Sequence, residues 1–167
     1  EEAEKAFKIF QRAMDGENVS ETEMGELAKV VQNGVPVSAV HKELVGNPKM
    51  QWPIRGCVIK TPADVAGLTS MIRNPYQEMS KIIWLNDKGQ VIDARVTALG
   101  VNDATYVNMH GSFENIPKGA KYFIHSHNHP SGVTIPSDAD INSRKTLQRI
   151  GKEIGVEMLD DIITNGH

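Results

Sequence analysis

Ile124-His125-Ser126-His127-Asn128-His129-Pro130-Ser131-Gly132, continuing through Ile135-Pro136-Ser137-Asp138-Ala139-Asp140, is the stretch that decides how this chain is read. Three histidines alternate at positions 125, 127 and 129. The preceding Lys121-Tyr122-Phe123-Ile124 is short, aromatic and β-branched, which predicts a strand. Alternate side chains of a strand share a face, so two neighbouring members of the histidine series can converge on one ion. Pro130-Ser131-Gly132 breaks the strand, and Ile135-Pro136 makes a second break. Ser137 then stands where a helix N-cap stands, and Asp140 falls in the first turn. Two imidazoles at a strand end and a carboxylate at a helix start give three N/O ligands and an open fourth position, the arrangement of a catalytic zinc site.

His127-x-His129-Pro130 followed by Ser137 and Asp140 matches the pattern His-x-His-x(7)-Ser-x(2)-Asp of the JAMM (MPN+) zinc metallopeptidases. The fuller string from His127 to Gly132, with Pro136-Ser137-x-x-Asp140, resembles the bacterial RadC branch of that superfamily. So do Ile59-Lys60-Thr61-Pro62-Ala63-Asp64-Val65-Ala66 and the run that follows Glu78, a glutamate, an apolar stretch and Asn86-Asp87-Lys88-Gly89. The resemblance covers Ile59 to Asn165, about two thirds of the chain. It implies an α/β fold: a mixed β-sheet flanked by helices, of the JAB/MPN, cytidine-deaminase-like architecture, with the metal at a strand end. It implies Zn²⁺ held by His127, His129 and Asp140, with Glu78 as the catalytic base and Ser137 as a hydrogen-bond donor to the oxyanion. The activity implied is hydrolysis of a peptide or isopeptide amide by metal-activated water. The partner is then a protein or peptide substrate, including a ubiquitin-like tail joined to lysine.

Other readings of the same residues stand beside this one. Ser137-x-x-Asp140 is also a helix capping box, which is compatible with a metal site. His125 shares the face of His127, but Pro130, Ser137 and Asp140 fit the family pattern only when counted from His129. His125 is therefore expected beside the ligands or in the core. Glu114 and Glu43 are the alternative bases, and His41 and His110 read as ordinary core or surface residues. The contiguous His-Asn-His is not an HNH nuclease motif, which spreads its residues over a ββα unit. A zinc deaminase needs cysteine ligands, and Cys57 is the only cysteine. The competing classes are a non-catalytic MPN-type binding or scaffold module and a DNA-repair-associated accessory domain.

Composition narrows these. A chain of 167 residues suits one domain with a small appendage, and 40% hydrophobic residues supply a core. The net charge of −3 offers no basic patch of the kind that dominates nucleic-acid affinity. A lone cysteine closes no internal disulfide. No run reaches transmembrane length and no signal peptide is visible, so a cytoplasmic location is expected. The chain begins at Glu1 and stops at His167, which suggests part of a longer polypeptide.

The expected organisation is a helical appendage over 1–46, a linker over 47–58 and the metallopeptidase-like domain over 59–167. Ala3, Ala6, Phe7, Phe10 and Met14 predict an amphipathic helix ended by Gly16. Ser20 and Glu23 form a capping box before a second helix carrying Met24, Leu27, Val30 and Val31 and ending at Gly34. Ser38 to Val45 reads as a third helix, and Trp52 as a packing anchor. Gly56 to Lys60 predicts a short strand, and Thr61-Pro62 starts a helix running to about Arg73. Gln77 to Leu85 and Gln90 to Leu99 predict a hairpin. From Gly100 the match loosens: Val107 to Glu114 carries no Pro-Arg-Glu string, and the segment is a few residues shorter than in the RadC branch. After Asp140, Ile141, Leu147, Ile150 and Ile154 predict a helix face ended by Gly155, with Arg144, Lys145 and Arg149 outward. Val156 to Ile163 predicts the last strand, with Asp161 where that branch often has histidine.

Overall fold

The computed structural model describes residues 1–32, 56–69, 76–99 and 104–165. The expected third helix over 38–45, His41, Glu43, Trp52 and the positions 70–75 lie outside the described residues.

Capping chemistry sets where the second helix begins. α1 spans Glu2–Met14 and α2 spans Glu21–Gln32. Glu23 N donates to Ser20 Oγ at 3.1 Å and Ser20 N donates to Glu23 Oε2 at 2.9 Å, so the capping box satisfies two otherwise orphaned amides. Arg12 of α1 reaches the same Glu23 at 2.6 Å, joining the two helices. Ile9 belongs to the buried face of α1, whereas Phe7 stays exposed. α3, Pro62–Thr69, starts from a box of the same kind: Asp64 Oδ2 accepts from Thr61 N at 2.8 Å, and Asp64 N donates to Thr61 Oγ1 at 3.3 Å. The expected strand before it is a single bridge, Val58 to Gln90, because residues 56–59 bond to the hairpin turn rather than to a full partner strand.

β1 (Met79–Leu85) and β2 (Val91–Leu99) form the hairpin. Asn86 Oδ1 accepts from Lys88 N and Gln90 N, and Gly89 takes the positive φ of 76° that the turn needs. β3 (Tyr122–His129) pairs antiparallel with β1 and parallel with β4 (Glu157–Asn165). The sheet order is β2-β1-β3-β4. A parallel pair needs a crossover, and α5 (Asp138–Ile154) supplies it between β3 and β4. α4 (Ala104–Phe113) links β2 to β3.

The two faces of this mixed sheet are covered differently. On one face Ile82 and Trp84 of β1 and Phe123 of β3 meet Met109 and Phe113 of α4 and Leu147 and Ile150 of α5. The same cluster includes Ala6, Ile9 and Phe10 of α1 and Met24, Leu27 and Val31 of α2. The N-terminal helices thus share the core of the sheet. Asn142 of α5 donates to Met14 O at 2.8 Å, and Arg149 turns back to donate to Val19 O at 2.7 Å rather than facing outward as expected. Leu147 and Ile150 lie on the buried stripe of α5 as expected, but Ile141, in the first turn of the helix, is exposed and lines the cavity that also holds Asp140. On the opposite face Val65 of α3 packs with Ile83, Leu85, Val91, Ala94 and Ile124, and the half-buried Cys57 joins them. Among the described residues, no helix is long and apolar enough to cross a membrane.

Candidate metal centre

Strand alternation places His125, His127 and His129 on the face that also carries Phe123. At the end of β3 the core gives out, and α5 begins directly opposite. Ser137 caps that helix: its Oγ accepts from Asp140 N at 3.1 Å, and Ser137 N donates to Asp140 Oδ2 at 2.8 Å. The box aims the Asp140 carboxylate at the histidines.

Three ligand atoms converge there. His127 Nε2 and His129 Nε2 are 3.1 Å apart, His127 Nε2 lies 3.2 Å from Asp140 Oδ1, and His129 Nε2 lies 3.2 Å from Asp140 Oδ2. A tetrahedral ion with bonds of about 2.0 Å needs its ligands about 3.3 Å apart. The three side chains therefore form a triangle of ligands whose spacing suits one zinc ion, each nitrogen facing its own Asp140 oxygen.

Protonation agrees with that use. His129 Nδ1 lies 2.7 Å from Val133 O. A carbonyl only accepts, so Nδ1 carries a proton there, and Nε2 is the ring atom turned to the ligand set. His127 is pushed down to about 4, first by burial and then by the neighbouring His125, so its imidazole is neutral at pH 7. Burial alone would raise Asp140, but the Ser137 amide and the two imidazoles outweigh it and hold the carboxyl below its ordinary value. Two imidazole nitrogens and a carboxylate are the donor set zinc takes.

Glu78 stands at the rim of this set. In the β1–β3 register Ser80 pairs with His127, and continuing two residues further places Glu78 across from His129 on the same face. Asn128, buried on the other face, holds it there: Asn128 Oδ1 accepts from Met79 N at 2.8 Å, and Asn128 Nδ2 donates to Gln77 O at 3.1 Å. The residue is exposed as a whole, but its carboxyl is desolvated enough to be pushed up. Asp140 adds to that rise, and His129 and His125 oppose it. Glu114 sits elsewhere, at the end of α4 beside Arg95 and His110. His110 is buried in the core.

His125 and Asp161 form a second cluster against the first. His125 Nδ1 and Asp161 Oδ1 are 2.9 Å apart, and the same oxygen is 3.9 Å from His127 Nδ1. A bulge in β4 makes this pairing. Phe123 faces Met158, but Ile124 faces Asp160, so the extra residue, Leu159, shifts the alternation and turns Asp161 toward the histidines. Sequence reasoning located His125 beside the ligands and missed Asp161. Strand alternation from the apolar Met158 would have turned Asp160 inward instead.

Comparison with known proteins agrees with this architecture. The RadC-like JAB domain model matches residues 59–167. A UPF0758 protein of Clostridium novyi is 36% identical over 112 residues, 66% of this chain and 49% of its own length. One from Clostridium tetani is 39% identical over 107 residues, 63% of this chain and 47% of its own length. One from Desulforamulus reducens is 31% identical over 166 residues, 96% of this chain and 73% of its own length. The chain spans about half the length of the two Clostridium relatives.

Proposed function

The chain belongs to the RadC-like JAB domain family, and on that premise we propose that it is a zinc-dependent hydrolase acting on a peptide or isopeptide amide. The observation that carries this reading is the convergence of His127, His129 and Asp140: the two Nε2 atoms are 3.1 Å apart, and each lies 3.2 Å from a different Asp140 oxygen. Those three side chains would hold Zn²⁺. The ion supplies a Lewis acid and makes water acidic near pH 7.

The chain's own groups take the remaining roles. Glu78, across from His129, accepts the proton of the attacking water and returns it to the leaving amine. Its raised affinity for protons suits a group that must both take and give one. Ser137 uses its oxygen to cap α5 and carries its O–H beside the Asp140 carboxylate. That proton donates to the carbonyl oxygen as it gains charge, a contribution typically of about 3 kcal/mol. The substrate is a protein or peptide, with a ubiquitin-like conjugate as one form.

Metal content per chain is the deciding measurement, on the wild type and on a His127→Ala/His129→Ala variant. One zinc in the wild type and none in the variant is expected, followed by amide hydrolysis that Glu78→Gln removes without removing zinc. A wild type that binds no zinc when it is supplied would overturn the reading in favour of a scaffold module. Zinc without turnover of any peptide or isopeptide substrate would leave a metal-binding domain that is not this hydrolase.

A further inference from the structure

A cavity of ≈ 250 Å³ opens directly beside the ligand triangle. Thr134 and Pro136 of the loop before α5, Asp140, Ile141 and Arg144 of its first turns, and Asp161 and Ile163 of β4 line it. Pockets that enclose whole small-molecule ligands run from about 300 to 1,000 Å³, so this one is sized for a single side chain. Its walls combine apolar surface from Pro136, Ile141 and Ile163 with one cation.

The charges in it are not equally committed. Asp140 faces the two histidines and accepts from Ser137 N. Asp161 is bonded to His125. Arg144 is exposed and, among the described residues, takes part in no ion pair or hydrogen bond. It stands four residues after Asp140, one helical turn away on the same side of α5. A guanidinium in that place presents a fork of donors that matches a carboxylate.

We propose that this cavity is a substrate subsite that takes a carboxylate-bearing group next to the scissile amide, with its aliphatic part against Ile141 and Ile163 and its carboxylate on Arg144. The proposal rests on the hydrolase reading for what the bound chain undergoes. The carboxylate has two sources, an acidic side chain or the free C-terminus of a peptide. Asp140 is shared between the cavity and the ligand triangle, so a residue held here carries its neighbouring amide toward the site.

The test is equilibrium binding to the zinc-supplied protein, followed through the methyl resonances of Ile141 and Ile163. Three probes are used: acetyl-Ala-Glu-Ala-amide, acetyl-Ala-Gln-Ala-amide, and acetyl-Ala-Ala with a free C-terminal carboxylate. A carboxylate probe is expected to shift both methyls and to bind at least tenfold tighter than the glutamine peptide. Whichever carboxylate probe binds identifies the source. Arg144→Gln should erase the preference and Arg144→Lys should keep part of it; the exposed position makes both variants compatible with folding. Equal binding of the glutamate and glutamine peptides, a preference that survives Arg144→Gln, or no methyl shift with any probe would overturn the subsite. Metal analysis of the same samples separates the two ideas. A protein without zinc that keeps the Arg144-dependent preference removes the hydrolase and retains the subsite, and a zinc-loaded protein without the preference does the reverse.

Discussion

Asp161 of β4 accepts the Nδ1–H of His125 at 2.9 Å, and the same oxygen stands 3.9 Å behind Nδ1 of His127, the ring whose Nε2 belongs to the ligand triangle. At 3.9 Å that oxygen is beyond hydrogen-bond reach of His127, so it acts on the ligand ring through its charge. Losing a hydrogen-bonded partner of a ligand typically weakens metal binding about 10–100-fold, and the loss of this unbonded carboxylate is expected at the lower end. Asp161→Asn keeps the shape and one acceptor but removes the charge. Its zinc affinity, measured by competition with a chelator, is expected to fall within that range. An unchanged affinity would assign Asp161 to holding His125 alone.

Asn128 connects the two strands that build the site. Its side chain bonds to Met79 N and Gln77 O, on either side of Glu78. Asn128→Ala strands the buried Met79 amide and should lower unfolding stability by about 2 kcal/mol in denaturant titration. Asn128→Asp keeps the acceptor for Met79 and loses the donor to Gln77, so it should recover part of that loss. Both variants should retain His127, His129 and Asp140 and therefore bind zinc. Loss of zinc in either would place Asn128 in support of the ligands instead of Glu78.

Those parts of the molecule whose information is local were legible beforehand. The capping boxes at Ser20 and Ser137, the helix start at Thr61, the hairpin turn at Asn86 and the Gly155 stop are written in neighbouring residues, and each forms at the residues expected. His127, His129 and Asp140 were singled out by the family pattern counted from His129, and the structure brings the three together where a strand end meets a helix start. What escaped depends on distant partners. α4 contains Thr105, Val107, Asn108, Gly111 and Ser112, weak helix formers, and is held by the burial of Met109 and Phe113 against Trp84 and Phe123. The β4 bulge that selects Asp161 over Asp160 is a pairing event with β3, and no signal within β4 announces it. Ile141 fits the helical period of the apolar stripe, yet it stays exposed and lines the cavity beside the site with Ile163.

The desolvated Glu78 gives a pH test on the metal-free protein. Its carboxyl is raised above the ordinary 4.5, chiefly by desolvation, so the folded state holds this proton more tightly than the unfolded chain does. The stabilisation that proton brings is fully present below about 4.5 and is lost as the pH rises through the higher folded value. At pH 7 the ionised carboxylate is therefore a burden on the metal-free fold. Glu78→Gln should raise the thermal midpoint at pH 7, and the gain should vanish below about pH 4.5. A gain of equal size at both pH values would assign the effect to packing.

Gly151 marks where α5 comes closest to the sheet. A Cβ built there meets Phe123 Cε1 at 2.7 Å and Val156 O at 3.0 Å. Alanine is the better helix former by about 1 kcal/mol, which argues for stabilisation. The neighbours argue against it. Phe123 is wedged between Trp84 and Phe113, with ring centroids 5.3 and 5.4 Å away, and Val156 O is backbone at the turn into β4. Neither can give way without moving the aromatic cluster or the first β3–β4 pairing, and overpacking of this kind costs about 1–3 kcal/mol. The clash should win, so Gly151→Ala is expected to lower stability by up to about 2 kcal/mol net of the helix gain. Gly25 provides the contrast, since a Cβ there meets only the flexible Glu153 carboxylate at 3.5 Å. Gly25→Ala should therefore raise the denaturation midpoint, and a fall of the same size in both variants would mean that helix contacts outside these two positions control the response.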